Sequence, residues 1–394
     1  MTRPSHEGMA GATERRPLVS VVVPSYNHAK YISKAVGSVL SQDFGDFELL
    51  ISDDASADNS WEVISGFSDL RIRSFLQERN LGPVGNLVFL IKEARGKYVA
   101  LLNSDDAWYR EKLGKQVAVM EAQPHLGACF TWADLVDEQG REISGPEAVW
   151  NDIFRQPNRS QGQWLRYFLF NGNCLCHPSI LVRKDVYDKL GFYNPGFKQL
   201  PDFEMWIRLV KHYPIHIIQE NLVAHLRDGS NTSAISPENS ARNLTELLEI
   251  FVSFFEGVPD EVFIEGFMND FRVKGVHRTP TRLRCEKLFL LLDSAFAHAS
   301  GRAAALSAFM KHFSDPDFER VLRDEYLFSV FDLYRLTGTS GFGYFLMQAV
   351  NSTTPVHIEA VDGLPSTSSH FIRYLKRLAR RLLEAVRPHR TDRC

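Results

Sequence analysis

Val19-Ser20-Val21-Val22-Val23-Pro24-Ser25-Tyr26-Asn27-His28 decides the fold. Its continuous β-branched run suits a strand covered on both faces, as in a parallel sheet. The run ends without a glycine-rich turn. Pro24-Ser25-Tyr26-Asn27-His28 stands where a dinucleotide-binding strand would carry Gly-x-Gly-x-x-Gly, which weighs against such a site. Outward from it, Tyr31, Ile32, Ala35, Val36, Val39 and Leu40 recur at helical spacing, and residues 47–52 predict a second strand that runs into Asp53-Asp54. Residues 61–67 predict a short helix and residues 72–76 a third strand. Asn80, Gly82, Pro83 and Gly85 mark a loop before a helix that ends near Ala94 and is closed by Gly96. Residues 98–102 predict a fourth strand, running into Asn103-Ser104-Asp105-Asp106. This βαβαβαβ order implies a parallel sheet with right-handed crossovers. In such sheets ligands bind outside the carboxyl ends of the strands, where both acidic pairs fall.

Further along, residues 128–132, 179–182 and 215–218 read as strands, and 163–170 and 204–211 as helices. After about residue 236 strand signals stop, and 244–255, 288–297 and 303–313 read as helical. The expected organisation is a flexible tail over 1–16, an α/β domain over 17–235, a helical region over 236–350 with no interpretable motif, a Ser/Thr/Pro/Gly-rich linker over 351–369 and a basic amphipathic helix over 370–394. The chain has 394 residues, 44% hydrophobic and 24% charged, enough for a main domain and an appended one. A formal net charge of −3 gives no global bias toward nucleic acid. Five scattered cysteines make no disulfide framework and read as reduced thiols. Residues 1–16 lack a signal peptide's apolar stretch, and no apolar run approaches the roughly 20 residues that span a bilayer, so a cytoplasmic location is expected.

A carboxylate pair at a strand end can be ordinary helix capping. Two pairs on one sheet edge can also hold a hard divalent cation through oxygen ligands, and such an ion makes a diphosphate a better leaving group.

The opening strand and Tyr26-Asn27, then Ser38-Val39-Leu40-Ser41-Gln42, then residues 47–56 ending in Ser52-Asp53-Asp54-Ala55-Ser56, resemble the opening of glycosyltransferase family 2. Leu101-Leu102-Asn103-Ser104-Asp105-Asp106 resembles that family's metal-binding DXD-type motif, and Pro201-Asp202-Phe203-Glu204-Met205-Trp206-Ile207-Arg208-Leu209 its later acidic motif. The resemblance covers roughly residues 18–233. It implies the GT-A fold, Rossmann-like with a mostly parallel central sheet, and an inverting transfer from a nucleotide-diphosphate sugar, a UDP-sugar, with Mn²⁺ or Mg²⁺. It also implies roles. Asp54, with Asp53 beside it, matches the carboxylate that binds uracil, Tyr26 an aromatic position near the base, and Pro24 a residue shaping that pocket. Asp105 and Asp106 match the pair at ribose and metal, with Asp106 as the direct metal ligand. Asp202 matches the general base. Two departures stand out: Pro201 replaces an acidic neighbour of that base, and Asn103 replaces the first Asp of the DXD-type motif.

Other positions keep two readings. His177 either lines the acceptor side or is a structural loop histidine. Trp206 is either a sugar platform or core. Arg227 either reaches the diphosphate or is a surface arginine, and Asn80 belongs to a loop that flanks the nucleotide. In the tail, Phe371, Ile372, Leu375, Leu378, Leu382, Leu383 and Val386 share one helical face, while Arg373, Lys376, Arg377, Arg380 and Arg381 occupy the other. Such a helix suits an anionic membrane surface, at roughly 1 kcal/mol per basic residue near the lipids, or else packs on its own protein. The expected acceptor is a glycan or lipid-linked glycan at the inner face of the plasma membrane. The competing reading is a non-catalytic sugar-nucleotide-binding or scaffold protein of the same fold, against which the retention of Asp106 and Asp202 argues. A phosphoryl-transfer protein would need a P-loop or a phospho-accepting Asp, and neither is evident.

Overall fold

The computed structural model describes residues 16–143, 152–227, 236–275, 278–294 and 298–340. The expected linker and basic amphipathic helix, like all but one residue of the expected N-terminal tail, lie outside them. Four strands, β1 (Val19–Ser25), β2 (Phe47–Asp53), β3 (Ile72–Leu76) and β4 (Tyr98–Leu101), pair in parallel in the order β3-β2-β1-β4. Helices α1 (Ile32–Leu40), α2 (Ser60–Ser65) and α3 (Gly82–Glu93) are their crossovers. Alternation along each strand distributes side chains to the two faces. Val19, Val21, Val23, Leu49, Ile51, Tyr98 and Ala100 pack with Ile32, Ala35, Val36 and Val39 of α1, whereas Val22, Leu50, Val99 and Leu101 pack with Val84, Leu87, Leu90 and Ile91 of α3.

The second half of the sheet is mixed. It comprises β5 (Ala107–Trp108), β6 (Ala128–Val136), β7 (Leu181–Arg183) and β8 (Ile215–Leu226), with α4 (Lys112–Ala122), α5 (Gln161–Asn171), α6 (Lys184–Leu190) and α7 (Pro201–His212) between them. The full order is β3-β2-β1-β4-β7-β6-β8-β5, with β7 antiparallel to β4 and β6, and β6 parallel to β8. Strand β8 runs eight residues beyond the expected 215–218. Irregular register at Thr131–Ala133 lets it stay paired along β6 to Val136↔Leu226.

Beyond residue 235, α8 (Pro237–Ser253), α9 (Asp260–Phe267), α10 (Pro280–Asp293), α11 (His298–His312), α12 (Pro316–Glu325) and α13 (Val330–Ser340) form a helical layer. Phe251, Phe254, Phe263, Phe267 and Phe289 belong to the same apolar cluster as Val22 and Phe168, so one hydrophobic interior runs from the sheet through α5 into this layer. Helices α5 and α9 cross at Gly162 and Gly266, where backbones touch. A Cβ on Gly162 would meet the Val262 carbonyl oxygen and stand 2.6 Å from the Gly266 nitrogen. Arg166 bonds Asp270 at 2.6 and 2.9 Å across the same junction. Cys129, Cys174, Cys176 and Cys285 are buried free thiols. No helix of the described residues is long and apolar enough to cross a membrane.

Candidate active site

Strands β1 and β2 end side by side, with Ser25 opposite Asp53. The chain then turns through left-handed residues on both strands, Asn27 (φ 54°) and Ala55 (φ 58°), a conformation that costs non-glycine residues energy and needs support. The two loops supply it to each other. Asn27 N–H donates to Ser56 Oγ (2.8 Å), Ala57 N–H to Asn27 Oδ1 (2.8 Å), and His28 N–H to Ser60 Oγ (2.9 Å). Tyr26 is 46% exposed on this rim, and Pro24 lies partly buried two residues before it. Asp53 is buried, and its Oδ1 accepts from Ser56 N–H at 2.8 Å. Its Oδ2 and the neighbouring Ser25 Oγ are buried without a hydrogen-bond partner among the described residues. Asp54 Oδ1 accepts from Leu81 N–H at 2.7 Å. Burial raises its carboxyl above the ordinary value, against the N–H groups of Leu81 and Gly82. Asn80 is exposed and its Oδ1 accepts from Gly82 N–H (2.9 Å), which holds the entry to α3.

The end of β4 separates the other pair. Asp106 has a fully buried carboxylate. Its Oδ1 accepts from His225 Nδ1 and Leu226 N–H, both at 2.8 Å, and its Oδ2 from the Asn103 amide at 2.9 Å. Asp105 is the partly exposed member. The motif alone puts Asp106 forward as the metal ligand, and in the structure donors from three residues occupy its carboxylate. His28 Nδ1 lies 2.7 Å from Ser104 Oγ, tying the β1 loop to this motif. Burial works against charge on His225, but Asp106, by charge and hydrogen bond, and Asp105 beyond it raise its proton affinity. Arg227, exposed two residues on, lies at the same edge, its N–H donating to Val136 O at 2.9 Å.

Asp202 sits in the first turn of α7. Burial pushes its carboxyl up to about 6, against the Phe203 N–H (2.8 Å) and the Asn173 amide (2.7 Å) that donate to it. Burial, and then the charges of Asp106 and Asp202, raise the proton affinity of the Cys176 thiol, so segment 173–177 lies near both carboxylates. Within it, burial pushes His177 down to about 3, against the pull of Asp106, and His177 Nε2 lies 3.2 Å from the Tyr193 hydroxyl. This histidine is a neutral, hydrogen-bonded group. Trp206 has no exposed surface. Its ring packs edge-on to Phe130 (4.9 Å) and beside His177 (5.6 Å), so it belongs to the core and offers no platform to a sugar.

The strand ends thus gather Tyr26, Asp53, Asp54, Asp105 and Asp106 with the far end of β8, and Asp202 stands across segment 173–177. Reading the sequence missed His225, Asn173, Ser25 and the His28–Ser104 link. His225 had a findable signal, since residues 215–218 and 222–226 are apolar but for His216 and His225 and flank the polar Gln219-Glu220-Asn221 as one long strand.

Residues 20–191 match the family described as Glycosyl transferase family 2. An uncharacterized glycosyltransferase of Methanocaldococcus jannaschii is 29% identical over 215 residues, 53% of this chain and 71% of that protein. A UDP-Glc:alpha-D-GlcNAc-diphosphoundecaprenol beta-1,3-glucosyltransferase of Escherichia coli is 29% identical over 196 residues, 49% of this chain and 70% of that one. Among solved structures, S. aureus TarS 1–349 in complex with UDP-GlcNAc shares the fold at a TM-score of 0.50 and 19% identity, over 78% of this chain and 91% of that one. Asp202, His225 and Arg227 lie beyond the family match, on elements that the fold brings back to it. Residues 20–191 form a glycosyl transferase family 2 domain, and the chain is a glycosyltransferase with a GT-A fold.

Proposed function

We propose that the chain transfers one sugar from a UDP-sugar to a hydroxyl of a glycan or lipid-linked glycan, in a single inverting displacement with Asp202 as base. One observation carries this reading: a desolvated carboxylate raised to about 6 stands apart from the acidic strand ends yet borders the same segment. At neutral pH such a group is ionised and still basic enough to take a hydroxyl proton late in the transfer. The Asn173 amide and Phe203 N–H fix its direction. The acceptor then attacks the anomeric carbon opposite the departing diphosphate, through an oxocarbenium-like transition state.

For the donor, the unpartnered Asp53 Oδ2 and Ser25 Oγ offer polar atoms that a nucleobase can satisfy, with Tyr26 at the rim. The E. coli relative, by its name, uses UDP-Glc and an undecaprenol-linked acceptor. Among the described residues no three His, Cys, Asp or Glu side chains make a complete metal site. That suits Mn²⁺ or Mg²⁺ taking most of its shell from phosphate and water and one or two ligands from protein. Asp105, with His225 beside it, would hold the ion, which supplies charge neutralisation at the diphosphate. In this reading residues 17–235 are the catalytic unit and 236–350 its helical support. The basic helix over 370–394 places the enzyme on anionic lipid at the inner face of the plasma membrane.

The test is a nucleotide-sugar panel with Mn²⁺, read by hydrolysis and by ligand-induced thermal shift. Asp202→Asn should lower turnover of the preferred donor about 10²–10⁴-fold and leave UDP affinity unchanged. Near-normal turnover in that variant removes Asp202 from its role. Donor binding without any turnover in the unaltered chain supports the binding-only alternative.

A further inference from the structure

Among the described residues, three buried glutamates hold loops. Glu48 accepts from Ser20 Oγ (2.6 Å) and Arg95 N–H (2.8 Å). Glu286 accepts from the N–H groups of Arg272 (2.8 Å) and Val273 (3.1 Å). Glu246, on α8 of the helical layer and 6% exposed, does the same at a more consequential place. Its Oε1 accepts from Lys198 N–H (2.8 Å) and Gln199 N–H (3.2 Å), and its Oε2 from Gln199 N–H (2.9 Å) and Leu200 N–H (2.8 Å). Asn239, also on α8, accepts from the Gln199 side-chain amide at 3.0 Å.

Lys198, Gln199 and Leu200 are the last three residues before α7, whose second residue is Asp202. The head of a helix needs outside partners for its N–H groups, commonly a capping side chain. Leu200, at the cap position, has no side-chain oxygen, and Pro201 has no N–H to place. The carboxylate that fixes the backbone leading into α7 therefore comes from α8, 46 residues beyond Leu200. We propose that Glu246 is a positioning residue for Asp202, so that the helical layer takes part in presenting the base to the acceptor. The proposal rests on the reading of Asp202 as the base.

Charge adds to geometry. Around Asp202, Cys176 and Tyr193 are held neutral, their proton affinities raised well above the ordinary values chiefly by burial, and on its own helix Glu204 is paired with Arg208 (2.5 and 2.8 Å). Asn173 is neutral. Glu246 brings a negative charge from α8, which adds to burial in raising the proton affinity of Asp202. Removing that charge should let Asp202 lose its proton at lower pH, so the acidic limb of the rate profile moves down.

The experiment uses the full chain with Mn²⁺ and the best-hydrolysed member of a UDP-Glc, UDP-GlcNAc, UDP-Gal and GDP-Man panel, assayed from pH 4.5 to 8.5. Glu246→Gln should lower kcat about ten-fold or more, since sub-ångström to ångström misplacement is costly. It should leave donor KM and UDP affinity within two-fold and shift the acidic limb to lower pH. Glu246→Asp keeps the charge but cannot reach all three N–H groups, so it should lose kcat with the limb in place. Glu286→Gln, a loop clamp elsewhere in the helical layer, should lower Tm and leave kcat and limb of the folded enzyme unchanged. Unchanged kcat and limb in Glu246→Gln overturn the proposal, as does the same kcat loss in Glu286→Gln. If Glu246→Gln does not fold, full activity in Glu246→Asp overturns it. Asp202→Asn separates the two ideas: its near-normal turnover defeats the base reading, whereas its inactivity beside a normal Glu246→Gln defeats only the role of Glu246.

Discussion

Donors from Asn103, His225 and Leu226 converge on the Asp106 carboxylate, and Asp106→Ala would strand them in a buried place. Each such group costs about 1–3 kcal/mol, so this variant should unfold at clearly lower temperature, with donor affinity lost only through misfolding. Asp105→Ala should do the opposite: a nearly normal Tm, but weaker UDP binding in Mn²⁺ and an unchanged affinity for uridine. Equal Tm losses in the two variants would contradict this division. The pair was legible as a site from its place after a strand, but which member is buried was not, because that depends on a strand more than a hundred residues away. Asp202 makes a second, pH-dependent claim. Its folded-state affinity is raised from 3.8 to about 6, so the wild type loses stability as pH rises from about 4 through 6. Asp202→Asn does not titrate. It should therefore be more stable than wild type at pH 8, by on the order of 1–3 kcal/mol, and should show no advantage near pH 4. Thermal unfolding at both pH values checks the sign.

Helices α8, α10 and α12 begin alike. Ser236, Thr279 and Asp315 cap them through side-chain oxygens, and each is followed by proline at the first helical position. Those Ser-Pro, Thr-Pro and Asp-Pro steps were in the sequence, yet reading by apolar periodicity began α8 and α10 several residues late and missed α12 altogether. Its buried Phe318, Val321 and Leu322 do stand at helical spacing, but they fill little more than one turn and were passed over. Strands β1, β2 and β4 were read closely because burial on both faces leaves an unmistakable apolar run, and the short β7 overlaps the expected 179–182, whereas the two-residue β5 carries no pattern of its own. The α5–α9 crossing is invisible in sequence, since Gly162 and Gly266 look like helix weaknesses until their backbones meet. Gly162→Ala or Gly266→Ala should each cost about 1–3 kcal/mol by overpacking, seen as a lower Tm. A neutral result at both positions would mean that the helices can separate without loss.

At the scale of the molecule, composition and the ordered motifs were enough to indicate a sugar-transfer fold with a helical annex. They could not show that sheet and annex share one interior, because that follows from which helix faces meet. The tail remains a proposal. Deleting residues 370–394 should release the chain from anionic vesicles while UDP binding persists, and salt should weaken the full-length interaction as screening shortens to about 3 Å at 1 M. Co-sedimentation with anionic and neutral liposomes tests it, and equal binding of both chains to anionic vesicles would refute it. Finally, the bond between Asp106 and Leu226 spans 120 residues. At a synthesis rate of roughly 5–20 residues per second, Asp106 leaves the ribosome about 6–24 seconds before its partner exists. During that interval the nascent chain displays an acidic sheet end and, along β6, a strand edge that awaits β8. The protein is thus most exposed to misassembly while its earlier strands are already made, and protection by a chaperone matters most in that window.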